Sequence, residues 1–269
     1  MESHDPIELR NTSTHELSGN ACPLEEHLYK YVRLEKGPGG MRIWRLNHPL
    51  VSHEITDINY CESIHDAIED AQNKHDEDVA SGNWESAIYN HDKRHRVMAF
   101  WDFSHLLGDV EYWRILGDLY RNHQMEDQEP NSHAESHLFR DFFRSGRPGR
   151  ENLMREQDRA VFDRLPDAFP VHRGFATGDG SGLSWTLDEA AAEWFASREW
   201  VYCRAQNHSR VVSGAARRER CLAYFGEEHE IVVFSDDVLN KREKECPRRN
   251  HSKVYDPNQF DLATILKPG

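Results

Sequence analysis

Three short stretches hold side chains whose types and spacing could act together on a small substrate: Val171-His172-Arg173-Gly174, Gly182-Leu183-Ser184-Trp185-Thr186 and Phe225-Gly226-Glu227-Glu228-His229-Glu230. Arg173 brings a planar, permanently charged fork that matches phosphate or pyrophosphate through parallel hydrogen bonds. In an extended run it points the same way as Val171 and Phe175, so a half-buried arginine paired with a carboxylate is the competing role. Ser184 and Thr186 alternate onto one face of a strand, with Trp185 on the other. Thr186-Leu187-Asp188-Glu189 also reads as a capping box opening a helix, which accounts for Thr186 without chemistry and leaves Ser184 as the hydroxyl for a site. Glu228 and Glu230, two apart, are expected on one face of an extended segment, where two carboxylates share a small volume. A solvated acidic hairpin turn is the alternative for that pair.

The order and content of these stretches resemble the mono-ADP-ribosyltransferases of the arginine, Ser-x-Thr and Glu-x-Glu group, in their phage and bacterial types. The likeness covers roughly the last 100 residues. It implies a transferase that uses NAD as cosubstrate and no metal. In that scheme Arg173, Gly174, Ser184 and Thr186 hold NAD, with Gly174 letting the backbone approach the nicotinamide carboxamide. Ser184 orients the catalytic glutamate. Glu230 holds the ribose 2′-hydroxyl and opposes the oxocarbenium-like charge that appears as the glycosidic bond breaks. Glu228 presents the acceptor, and in the resembled group a glutamate there accompanies arginine modification. Phe225 stands where relatives place an aromatic that meets the target, although a strand-end core residue would look the same.

The expected function is therefore transfer of ADP-ribose from NAD to a target, first of all a protein arginine. Three alternatives stay open: NAD hydrolysis, modification of a nucleic acid, and an inactive module that binds NAD or a partner. Departures from the family pattern are His172, where tyrosine is common, and the short span between Arg173 and Ser184. Gly178, Gly180 and Gly182 suit a tight turn there. No second NAD-binding loop follows Thr186, because a helix starts at once.

The elements that must position these residues follow from period and punctuation. Residues 1–22 read as a polar lead-in, 23–165 as a mainly helical region and 166–269 as a strand-rich region, the part that the resemblance makes ADP-ribosyltransferase-like and catalytic. Within the helical region, acidic residues from Glu54 to Gly82 frame Ile64, Ala67, Ile68 and Ala71 at helical spacing, as on a surface helix. Val110, Trp113, Leu116 and Tyr120 recur at three and four, predicting a buried helix across Val97 to Asn122. Helices are also expected over His133 to Phe143 and Arg150 to Leu165, split by Gly146, Pro148 and Gly149. Four β-type runs follow, Pro170 to Phe175, Val211 to Ala216, Cys221 to Phe225 and His229 to Phe234, interrupted by a helix from Leu187 to Arg198. The fold expected is α+β: a helical N-terminal part, then the split β-sheet core of the resembled enzymes.

Composition narrows the partners. Forty-seven acidic against 33 basic side chains give a formal charge of −14, which argues against tight binding to a phosphate backbone. A basic stretch of Lys241, Arg242, Lys244, Arg248, Arg249 and Lys253 reads as a solvated face. Five cysteines, none as Cys-x-x-Cys, fit a reducing cytoplasm and give no zinc motif. His133 and His137 with His123 upstream, and His91 with His95, have metal-grip spacing but lack a protease motif. No membrane span or export signal is expected.

Overall fold

In the computed structural model the described residues are 24–36, 42–55, 61–123, 132–175, 181–203, 209–246 and 255–266. Contacts divide the chain into two compact units, Met1–Leu107 and Gly108–Gly269.

The first unit is not purely helical. Strands β1 (Val32–Lys36), β2 (Arg42–Asn47) and β3 (Ser52–Ile55) form an antiparallel sheet in that order. Val32 and Leu46 are fully buried with Leu28 and Ile64, while Arg33 beside them is exposed. This apolar–charged alternation of Val32-Arg33-Leu34-Glu35 is a strand signal, and it lies where the helical period was expected to rule. Helices α1 (Cys61–Ser81), α2 (Trp84–Tyr89) and α3 (Arg96–Phe103) follow. Asp78 joins the first two, accepting from Ser86 Oγ and Asn90 Nδ2 at 2.7 Å each.

Histidines make this unit sensitive to acid. Burial lowers the pKa of His48, His91 and His95, and neighbouring histidines lower His48 and His91 further. The unfolded chain, near the ordinary value of about 6.5, binds protons more readily than the folded one. Stability is thus complete above that value and falls as pH drops below it. We predict that hydrogen-exchange protection of residues 61–107, corrected for intrinsic rate, falls from pH 7.5 to 5.5. Unchanged protection would contradict burial of neutral imidazoles.

The single helix expected across Val97 to Asn122 is two. It breaks after α3, and α4 (Asp109–His123) begins the second unit. Trp113, Leu116 and Tyr120 are buried on α4 as their spacing predicts, whereas Val110 is 58% exposed. Helices α5 (Ser132–Phe143) and α6 (Glu156–Arg164) stand close to their expected places. Between them Gly149 turns the chain at φ 80°, a conformation open to glycine.

Six antiparallel strands complete this unit: β4 (Ala168–Phe175), β5 (Ser184–Thr186), β6 (Arg210–Arg217), β7 (Ala223–Phe225), β8 (Glu230–Val232) and β9 (Leu239–Glu245). Their order is β7-β8-β5-β4-β6-β9. The architecture is mixed, with helices first and the larger sheet last. Helix α7 (Glu189–Cys203) covers one face, where Ala192 and Ala196 pack with Val211 and Cys246. Val171, Trp185, Val212, Tyr224 and Ile231 line the other face in a core that Val161, Phe162 and Phe260 join.

Strand β9 occupies part of the basic stretch read as surface. Its residues are all exposed, and Lys244 Nζ reaches Glu189 at 2.5 Å and Glu193 at 2.9 Å on α7. A charged edge strand of this kind resists pairing with another chain. Arg248, Arg249 and Lys253 lie outside the described residues. Among the described residues no helix is long and apolar enough to cross a membrane.

Candidate active site

Sheet register brings the three sequence stretches together. Thr186 on β5 lies opposite Glu230 on β8, Ser184 opposite Val232, and Phe225 on β7 opposite Glu230. Directly paired residues project to the same face, so Ser184, Thr186, Phe225 and Glu230 share one side of the sheet. His172 joins them through its pairing with Thr186, the single residue pair by which β4 meets β5. Its Nδ1 lies 2.8 Å from Ser213 Oγ, and burial lowers its pKa.

Arg173 is one residue out of step with that face and shares the side of Val171 and Phe175. Its guanidinium turns to the junction of β4 and β5, where Nη1 donates to the Ser184 carbonyl at 2.7 Å. Gly182 allows this approach, because a Cβ there would overlap the guanidinium. Nε–H of Arg173 is buried with no acceptor among the described residues. The arginine therefore ties β4 to the backbone of the Ser184 strand, and one buried donor is left over. Gly178 and Gly180 lie outside the described residues.

Gly174 has a packing reason of its own. A Cβ at this position would overlap the Ala192 carbonyl and press on the Ala196 amide, so α7 rests directly on the strand backbone.

Thr186 is fully engaged. Its hydroxyl donates to the Glu228 carbonyl at 3.0 Å and accepts from the Asp188 amide at 3.1 Å. The cap of α7 is Asp188, whose Oδ1 accepts from the Ala190 amide at 2.8 Å. The capping box expected from Thr186 to Glu189 is thus displaced. Thr186 makes a local turn into Asp188, and Asp188 takes the cap. The same hydroxyl clasps the start of α7 to the chain just before Glu230.

That chain is not extended throughout. Gly226–Glu228 is a single 3-10 turn, and His229 takes a left-handed conformation with φ 51°. Glu228 and Glu230 therefore do not alternate along one strand as expected, since a positive φ between them breaks the period of two. His229 is held at both ring nitrogens: Nε2 lies 3.1 Å from the Pro257 carbonyl and Nδ1 2.9 Å from Tyr224 Oη. A carbonyl can only accept, so Nε2 carries a proton and donates to Pro257, while Nδ1 and the tyrosine hydroxyl share the second bond. Burial pushes the Tyr224 hydroxyl up to about 12. Two fixed contacts offset the backbone strain at this residue.

Helices α4 and α6 supply partners that sequence reasoning missed. Tyr120 Oη donates to Glu230 Oε1 at 3.4 Å, and its ring packs against Phe225. Arg121 places its guanidinium 5.0 Å above the Phe225 ring and pairs with Asp118 and Asp158. Asp158 in turn accepts from the Gly226 amide at 3.1 Å. Burial raises the pKa of Asp158, opposed by the Gly226 amide and the Arg121 charge. Phe225 is 2% exposed and Glu230 7%. Buried in this way, Phe225 fastens the turn to α4 and offers no surface to a target.

An open pocket of about 360 Å³ borders the same turn from the α6 side, lined by Arg121, Asp158, Tyr224, Gly226 and Glu227 among others. Glu230 is not part of its wall. Among the described residues no group of three or more His, Cys, Asp or Glu could hold a metal ion. The side chains of His123 and His133 lie outside them.

Chemically, the arrangement offers a buried carboxylate with a phenol donor, a serine hydroxyl on the same face, a guanidinium at the adjoining strand junction and a second carboxylate on the preceding turn. Comparisons with protein-family models, with curated proteins and with solved structures find no match for the chain.

Proposed function

We propose that the second unit is an ADP-ribosyltransferase core that transfers ADP-ribose from NAD to a protein arginine. The observation that supports this reading is the register, which sets Ser184 and Thr186 on β5 and Glu230 on β8 on one face, together with the bond that holds the Arg173 guanidinium of β4 at the Ser184 carbonyl. Glu230 holds the ribose 2′-hydroxyl and stabilises the positive charge that grows at C1′ as the bond to nicotinamide breaks. A carboxylate fixed in a buried site opposes that charge with little reorganisation. Nicotinamide leaves as a neutral ring and needs little acid help.

Arg173 binds the pyrophosphate side of NAD with the donors its bond to Ser184 leaves over. Lysine cannot reproduce the fork, so Arg173→Lys should raise the KM for NAD roughly tenfold with a smaller change in kcat. An unchanged KM in a folded variant would remove Arg173 from the NAD site. Glu228 on the turn receives the acceptor guanidinium and takes up its proton.

One observation favours a second reading. With Phe225 buried, the aromatic that would meet a protein target is unavailable, and water as acceptor would make the protein an NAD glycohydrolase. Incubation with a tagged NAD analogue and lysate, followed by separate protease and nuclease digestion, distinguishes the outcomes. Protease-sensitive label supports protein modification, and nuclease-sensitive label moves the acceptor to a nucleic acid. Free nicotinamide without label means hydrolysis, and intact NAD overturns both readings.

A further inference from the structure

The resembled enzymes would have Ser184 orient Glu230, but strand register gives Glu230 a different partner. Ser184 stands opposite Val232, two pairs along the ladder, which makes it a diagonal neighbour of Glu230 at roughly 7 Å between backbones. Thr186, directly opposite Glu230, has spent its hydroxyl on the Glu228 carbonyl and the Asp188 amide. A donor that does reach Glu230 Oε1 comes from α4, where Tyr120 is 4% exposed and packed by Phe139, Phe143 and Phe225.

We infer that Tyr120 is a positioning residue for the reaction, orienting the Glu230 carboxylate from outside the sheet. This rests on the transferase reading above. A buried carboxylate needs hydrogen-bond donors to stay ionised and in one rotamer, and packing by three aromatic rings fixes where the Tyr120 phenol stands. Neighbouring contacts keep α4 in place for this task. Arg121, the next residue, lies on Phe225, which pairs with Glu230 across β7 and β8, and Arg121 also binds Asp158, which holds the Gly226 amide. Both ends of the turn that carries the two glutamates are thereby referred to one pair of residues on α4.

The test uses Tyr120→Phe in the full chain, since phenylalanine retains the ring packing and removes the hydroxyl alone. Nicotinamide release should fall roughly tenfold or more in kcat, with the KM for NAD unchanged within about twofold. Ser184→Ala should lose less. A double-mutant cycle with Glu230→Ala, read by urea unfolding, needs no turnover: the product of the single effects on the unfolding constant should exceed the double effect by roughly fivefold or more. Independent effects in the cycle, or a normal kcat in Tyr120→Phe, would overturn the role. If the cycle shows coupling while the unsubstituted chain leaves NAD intact, the contact stands and the transferase reading fails, taking the positioning role with it.

Discussion

Glutamine at position 230 should leave the protein folded and reduce nicotinamide release from NAD by roughly 10²-fold or more. The substitution keeps the size of the side chain and an oxygen for the Tyr120 hydroxyl, so the buried contact at 3.4 Å can persist. What it removes is the negative charge. In water that charge would be screened and its loss mild, but Glu230 is 7% exposed, and in a site of low dielectric the interaction with a developing cation is strong. The loss should appear in kcat more than in the KM for NAD, because the opposing charge exists only in the transition state. A folded Glu230→Gln protein with near-normal turnover would remove Glu230 from the chemistry.

Alanine at position 174 should destabilise the second unit by about 3 kcal/mol, near the upper end of what one inserted methyl group costs in a packed interior. The added Cβ meets backbone on α7, the Ala192 carbonyl and the Ala196 amide, rather than a side chain that could swing away. Neither element yields easily. Residue 174 lies inside the pairing of β4 with β6, opposite Val211, and Val211 packs in turn against Ala192 and Ala196. A fall in melting temperature of roughly 6 to 12 °C would be the sign of it. A variant with unchanged melting temperature and a raised KM for NAD would instead assign Gly174 to the nicotinamide alone.

Much of the six-stranded sheet is legible in the sequence because its signals are local. The alternation of Val171, Arg173 and Phe175 marks β4, and the alanine-rich segment after Leu187 marks α7. Glycine at 182 suits a turn, although its closer reason, the guanidinium lying over it, depends on a residue nine positions away. The paired glutamates show how one residue defeats a periodic argument. Nothing in Glu228-His229-Glu230 announces that the histidine takes φ 51°, and without that angle the two carboxylates look like neighbours on a strand.

The partners from α4 and α6 were illegible for a different reason. Tyr120 lies 110 residues before Glu230, and Asp158 lies 68 before Gly226. Helical period marks Tyr120 as buried but carries no information about which strand it meets. In the first unit β1 carries a local strand signal, since Val32-Arg33-Leu34-Glu35 alternates, but it spans only five residues and is followed by the much longer helical period of α1. Strand β9 consists wholly of exposed residues, so it lacks the buried face on which strand patterns rest.

The most direct test of the central claim is to incubate the purified protein with NAD, with and without a free guanidino compound, and to quantify nicotinamide and ADP-ribose products. Nicotinamide release that depends on Glu230 is expected, with ADP-ribose joined to the guanidino group when it is present. NAD that remains intact and unbound at millimolar concentration would contradict it.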